Sequence, residues 1–367
     1  MTNRQIANAR LRNSGLVDHR FTTPEEVVRW FGAVQSQDVP GALWGIAQRM
    51  SGEPTVGPVG AAMDEGRIVR THALRPTWHF LVPSELRWIQ GLTGGRVHQA
   101  NGSLYRRLGL GETEFARADA AIRDALRGGN ALTREELRAA VGTTGIAIDD
   151  VLVITYLVMH AELEAIIVSG PRRGKQATYM LVDERIRPAS ARDRADALRE
   201  LTLRYFRSHG PALVHDMAWW SGLTVGQVRE GVELAGDALD RRRVDGKDYV
   251  AASDSWNDEP SPRPHVLLLP NYDEAVASYR DYSPVIDDAF SRPRSASDVL
   301  GAHIVVRDGL VIGGWRRALS PTKVTVTATL LVPLTPADTT AVESAAAAFG
   351  RFLGLAVDLR IVEPSRR

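Results

Sequence analysis

The sequence predicts an α+β protein: three tandem winged-helix units followed by a C-terminal mixed α/β, strand-rich domain. Three observations carry that expectation. The order helix, helix, helix, hairpin comes round three times, two of the hairpin tips are basic, and the texture changes to apolar strands from about residue 260. A chain of 367 residues is long enough for several compact units, with expected spans 1–100, 101–190, 191–258 and 259–367.

The first unit opens on Thr22-Thr23-Pro24-Glu25-Glu26. Thr23 is placed as N-cap, Pro24 at the first helical position, and Glu26 closes a capping box. Val27, Val28, Phe31 and Val34 then recur at helical spacing. Pro40 biases Val39 away from helical angles, so this helix is expected to run to about Gln37 or Asp38. GALWGIAQRM and VGPVGAAMDEG follow as helices, and GRIVRTHALRPTWHFLV reads as two strands around a turn at Leu74 to Pro76.

The second unit repeats the order with LTREELRAAVG, where Thr133 and Glu136 form another capping box, then DDVLVITYLVMHAELEA and a hairpin with the tip Gly-Pro-Arg-Arg-Gly-Lys. The third runs through ALRELTLRYFRSHG, LVHDMAWWSGL and TVGQVREGVELAG to a hairpin turning at Asp245-Gly246. SPRP at 261–264 marks a linker. Strands are then expected in HVLLLPNYDEAVASYRDYSP, in HIVVRDGLVIGGWRR around Asp308-Gly309, in TKVTVTATLLVPL and in AVDLRIV, with the helix DTTAVESAAAAFGRFLG between the last two.

Composition excludes several classes. Apolar residues at 44% and charged residues at 24% are those of an ordinary globular chain. The longest apolar run, VLVITYLVM, is too short to span a bilayer and the N-terminus has no apolar signal core, which makes the cytoplasm the expected compartment. Cysteine is absent, so disulfides and Cys-ligated clusters are out, and the nine histidines show no H-E-x-x-H or comparable spacing. No metal and no cofactor are expected.

The net charge of +1 hides an uneven distribution: of 45 basic residues only Lys175, Lys247 and Lys323 are lysines, and guanidinium suits bidentate phosphate contacts. Arg172, Arg173 and Lys175 at one tip and Arg241, Arg242 and Arg243 at another stand where a wing would touch a phosphate backbone. Arg75 in the first hairpin and Arg307, Arg316 and Arg317 beside Trp315 complete the candidate contacts. The last hairpin reads equally as a ribbon entering a groove and as a half-buried sheet edge; for the helical array a plain scaffold is the lesser alternative to DNA-contacting wings.

RTHALRPTWHFLVPSEL at 70–86, LLPNYDEAVASYRDYS at 268–283 and VVRDGLVIGGWRR at 305–317 resemble the recurrent motifs of the tandem winged-helix family of bacterial DNA glycosylases, over nearly the whole length. Gln35-Ser36-Gln37 is similar to the glutamine-x-glutamine signature of the branch associated with azinomycin resistance; a related branch carries aspartate at the second position. The resemblance implies an enzyme that excises alkylated or interstrand-crosslinked purines, with Gln35 and Gln37 as its catalytic residues.

Glutamine does not titrate near neutral pH, but its carbonyl accepts a hydrogen bond from water while its NH2 donates to a base or sugar oxygen. Such a group orients a nucleophile and stabilises developing positive charge by its dipole. That suffices for an N7- or N3-alkylpurine, which already carries positive charge and leaves without protonation. On a continuous helix residues two apart point about 200° from each other, so convergence of the two amides requires non-helical backbone at the motif. Asp38 is a candidate for catalytic support, or a helix-end carboxylate bonding its own backbone. In the hairpin, Trp78 and Phe80 read as inward core residues and His79 as the outward, ligand-facing one. Asp273 and Glu274 follow a buried strand as supporting residues. With no lysine near the motif, a Schiff-base lyase is not expected, and the partner is duplex DNA bound by a monomer. The alternative is a winged-helix transcriptional regulator that binds DNA without catalysis.

Overall fold

The computed structural model describes residues 1–189, 192–256, 265–286 and 303–364. The expected SPRP linker lies outside the described residues.

The chain starts with a helix the sequence reading did not single out, α1 (Asn3–Asn13), capped by Thr2 and Gln5. α2 (Pro24–Phe31) begins as expected, with Thr23 accepting from the Glu26 amide. It does not reach Gln37. Gly32, at φ +82°, ends it, and the chain turns into a short strand, β1 (Val34–Gln35). Pro40 is not a terminator either: it sits in the first turn of α3 (Val39–Ala47), where its missing N–H costs nothing. α4 (Val56–Asp64) and the hairpin β2 (Val69–Ala73) and β3 (Thr77–Leu81) complete this region. β1 adds to the hairpin as a third strand, with Val34 opposite Phe80 and Gln35 opposite His79.

Two further helices outside the expected pattern follow, the 22-residue α5 (Leu86–Arg107) and α6 (Glu112–Leu126). Next come β4 (Leu132–Thr133), α7 (Arg134–Gly142), α8 (Val151–Leu163), β5 (Ile167–Ser169), β6 (Thr178–Leu181) and α9 (Val182–Arg185), the strands in the order β4-β6-β5. α10 (Arg194–Ser208), α11 (Val214–Ser221) and α12 (Val225–Ala235) lead to the hairpin β7 (Leu239–Val244) and β8 (Lys247–Ala252). Asp245 at φ +47° and Gly246 at φ +77° make its two-residue turn.

The C-terminal region is a five-stranded sheet in the order β13-β12-β11-β10-β9, built from β9 (Val266–Leu269), β10 (Ile304–Arg307), β11 (Leu310–Leu319), β12 (Lys323–Leu330) and β13 (Ala356–Val362). α13 (Glu274–Ala277) follows β9, and α14 (Pro336–Leu353) crosses over between the parallel strands β12 and β13. β11 stands between β10 and β12 in the strand order, pairing with β10 through residues 310–314 and with β12 through residues 313–319, and the Trp315 indole is buried and donates to the Leu269 carbonyl at 2.8 Å. The expected ribbon is therefore an interior strand whose far end, at Leu319, is exposed.

One hydrophobic core joins α2–α4 to this sheet and α14: Trp44 meets Phe349 edge-on at 5.1 Å and donates to the Leu268 carbonyl at 2.8 Å. A second joins β2 and β3 to α10–α12 and β8, and a third lies within α6–α8 and β5–β6. The β1 segment is thus caught between the first helices, the third helical group and the loop after β9.

Candidate active site

Gln35 ends the two-residue strand β1, and Ser36 and Gln37 follow in a non-helical bend that leads into α3. The non-helical backbone that convergence requires comes from a short strand and a bend rather than from a helix ending at proline. The two amides are nonetheless in different surroundings: Gln35 is buried and Gln37 is exposed.

Six contacts fix the segment. The Ser36 N–H donates to the Trp78 carbonyl at 2.8 Å, and Arg70 Nε donates to the Ser36 carbonyl at 3.1 Å. The Gln35 N–H donates to Glu274 Oε1 at 2.6 Å, and Arg75 Nη2 donates to Gln35 Oε1 at 3.0 Å. The Trp78 N–H reaches Gln37 Oε1 at 3.4 Å, and Arg317 Nη2 pairs with Asp38 Oδ2 at 3.3 Å. Arg75 therefore polarises the Gln35 amide and leaves its NH2 without a partner among the described residues. Asp38 is the N-cap residue of α3 but makes no side-chain capping bond; its charge goes to Arg317.

Glu274 is fully buried. Burial alone would raise its pKa, but bonds from His209, Ser278 and the Gln35 amide outweigh it and hold the carboxyl at about 2, so it is ionised. Trp220 Nε1 donates to it as well, at 3.0 Å. The neighbouring Asp273 takes a bidentate bond from Arg49, at 3.0 and 2.7 Å.

His79 does not face outward. It is fully buried, because β1 covers one edge of the hairpin and both faces of the three-stranded sheet are packed. Burial first, then the Arg75 charge, pushes its pKa down to about 3, so the ring is neutral. Its Nδ1–H donates to the Thr77 carbonyl at 3.0 Å, and Nε2 has no partner. Of the two aromatics, Phe80 is in the core as expected, while Trp78 is half-buried between Arg70, at 4.3 Å from the ring centroid, and His72, at 4.4 Å. Ser36 Oγ, Arg75 Nε, Thr77 Oγ1, Trp78 Nε1 and His79 Nε2 are all buried without a hydrogen-bond partner. Such a concentration in one hairpin and the glutamine segment beside it marks a place that water or a ligand completes.

Arg49 and Arg70 escaped the sequence reading. Their signal, if any, was arginine within strongly apolar stretches. The cavity behind Gln35 measures about 10 Å³, room for at most one water. The large cavity, about 920 Å³, lies elsewhere, between α3, β9 and α14, and no residue of the glutamine segment lines it.

The family described as DNA glycosylase AlkZ-like matches residues 28–352. The chain belongs to the AlkZ-like DNA glycosylase family. The AlkZ-like protein is accordingly a DNA glycosylase, and DNA is its substrate. Its fold is similar to that of Streptomyces sahachiroi DNA glycosylase AlkZ, with a TM-score of 0.80, 22% identity, and 99% of this chain and 100% of that chain covered. No match was found among curated proteins. Family membership sets aside the reading as a regulator without catalysis.

The expected DNA contacts of this AlkZ-like glycosylase are placed unequally. Arg75 is turned inward onto Gln35. Arg172 holds Asp64 through Nε and Nη2, at 2.9 and 2.7 Å, linking the second hairpin tip to α4. Arg173 pairs with Glu136 and Arg241 with Glu233. Arg243 stands 3.9 Å from Asp248, and Arg307 pairs with Asp338 at 2.9 Å. Arg242 lies over the Trp256 ring at 4.4 Å. Lys175 and Arg316 are exposed and have no ion-pair partner among the described residues. No helix among the described residues is long and apolar enough to cross a membrane.

Proposed function

We propose that this glycosylase hydrolyses the N-glycosidic bond of N7- or N3-alkylated purines, bulky and crosslinked adducts included, without a lyase step, and grips duplex DNA with three winged-helix units as a monomer. The observation that supports the reading is a buried Gln35, clamped by Arg75 and the Glu274 carboxylate, two residues before an exposed Gln37 in non-helical backbone. In this arrangement Gln37 holds the water and the Gln35 NH2 donates to the sugar. Water adds to C1′, the bond to the purine breaks with its electron pair neutralising the cationic ring, and the water proton passes to solvent. A ring that leaves as a neutral molecule needs no general acid, which fits a motif whose two side chains do not titrate.

The absence of a titratable group at the motif is matched by the lysines. Lys247 bonds Asp281 at 2.5 Å, Lys323 stands 3.6 Å from Asp358, and Lys175 is on the second hairpin tip. None touches the glutamine segment, in keeping with a monofunctional enzyme. The cavity of about 10 Å³ behind Gln35 suits a lesion approached at the surface better than a purine swallowed whole.

The test is incubation with duplex DNA carrying N7-methylguanine or a nitrogen-mustard crosslink, followed by measurement of free base and abasic sites. Release is expected from the wild type, slowed by about two orders of magnitude in Gln35→Ala and Gln37→Ala with DNA binding retained. Excision at the wild-type rate by both variants would remove the glutamines from the chemistry.

A further inference from the structure

We propose that His98, His160 and Glu164 bind a divalent transition-metal ion of the zinc type, which pins α5 to α8 in the helical group that carries the second basic hairpin. His98 lies on α5, and His160 and Glu164 lie four residues apart on one face of α8 and its cap. Their ligand atoms all lie within 4.8 Å of one another, and His98 Nε2 already stands 3.0 Å from Glu164 Oε1. Zinc bonds of about 2.1 Å in a tetrahedron separate ligand atoms by about 3.4 Å, so shifts of about 1 Å close the site. Two imidazoles and a carboxylate are a donor set for first-row divalent ions, and a water completes the fourth position.

The His98 ring is held from behind by a hydrogen bond, as metal-bound imidazoles usually are, and the His160 ring is fixed by stacking. His98 Nδ1 is 3.0 Å from the Tyr105 hydroxyl. His160 Nδ1 is 3.4 Å from Asp119 Oδ2 on α6, and Phe115 stacks on its ring at 4.0 Å with an interplanar angle of 7°. Despite that proximity, His160 Nδ1 and Asp119 Oδ1 are buried with no hydrogen-bond partner, an electrostatic demand that the protein groups leave open. The ion has an entry path, because the Glu164 side chain is 50% exposed and that of His98 22%.

The full chain, stripped with chelator and dialysed, is titrated with ZnCl2 by calorimetry, and with CoCl2 to read coordination from its visible bands. One equivalent of Zn2+ is expected, with a rise in melting temperature and Co2+ bands characteristic of four-coordination. His98→Ala and Glu164→Gln are each expected to weaken Zn2+ binding at least tenfold and to abolish the rise, and Tyr105→Phe to weaken it about tenfold through the ring it positions. Metal-free melting curves confirm that each variant folds; Glu164→Gln, on an exposed side chain, keeps the test open if His98→Ala melts early. No uptake of Zn2+, or one equivalent bound with unchanged affinity by the ligand variants, overturns the proposal.

Discussion

Glu274, which accepts from the Gln35 amide, and His79, which lies opposite Gln35 in the sheet, both make the protein acid-sensitive. The folded pKa of His79, about 3, is below its ordinary 6.5, so the stability from a neutral ring is complete above pH 6.5 and erodes as pH falls toward 3. The folded pKa of Glu274, about 2, is below its ordinary 4.5, so its contribution is complete above pH 4.5 and erodes toward 2. Each unit of difference is worth about 1.4 kcal/mol, against a whole-domain stability of about 5–15 kcal/mol. The His79 window opens first, so urea unfolding followed against pH is expected to show stability falling from about pH 6.5 downward. His79→Asn is expected to flatten that limb between pH 6.5 and 4.5; an unchanged slope would mean that His79 is protonated in the native state. At this scale the sequence named Gln35 and Gln37 by type and spacing. It misjudged His79, because which face of a hairpin is covered depends on a third strand that comes from 40 residues upstream.

Among the elements, the end of α2 and the turn after β2 decide where the site residues point. Gly32 at φ +82° ends α2, and an added Cβ would meet only side-chain atoms, the nearest at 3.6 Å, so Gly32→Ala carries the cost of a left-handed residue alone, about 1 kcal/mol. Gly222, at φ +70° after α11, is more tightly placed: a Cβ there would stand 2.3 Å from the Leu74 carbonyl, in the turn that launches Arg75 onto Gln35. Gly222→Ala is expected to destabilise by more than Gly32→Ala in denaturant melts, about 2–3 kcal/mol, and to slow excision by displacing Arg75. A folded Gly222→Ala variant with wild-type excision would show that the Arg75–Gln35 bond is dispensable. The capping boxes, the helices they start and the Asp-Gly hairpins were legible because their signals are local. Pro40 misled because proline serves both at the boundary of one helix and in the first turn of the next, and only the pairing of β1 with β3 settles which.

For the molecule as a whole, buried ion pairs join regions far apart in sequence. Arg49, in the turn after α3, and Asp273, before α13, are 3% and 2% exposed and doubly bonded, so Arg49→Ala strands a buried carboxylate. The expected loss is about 3–5 kcal/mol, read by chemical denaturation, and it should carry excision with it, since Asp273 caps the helix that begins with Glu274. DNA affinity is predicted to rest unevenly on the basic residues. Lys175→Ala and Arg316→Ala are each expected to reduce the slope of log affinity against log salt by about one. Arg172→Ala is expected to do less to the slope than to stability, since Arg172 already holds Asp64 on α4. An equal change in slope for all three variants would show that Asp64 yields its arginine to phosphate.

Local chemistry alone determined the mixed α+β class, most helix starts and the hairpin turns, while the glutamine motif and the family were read from the resemblance of spaced motifs to known proteins. It could do so because capping, turn geometry and side-chain type act over a few residues. Tertiary structure alone decided that the motif begins in a short strand, that Gln35 is clamped and Gln37 exposed, that Arg75 is turned inward onto Gln35, and that the last hairpin's second strand is an interior strand. These depend on which distant segments share a core and on where buried charges find their partners, and no local pattern encodes either.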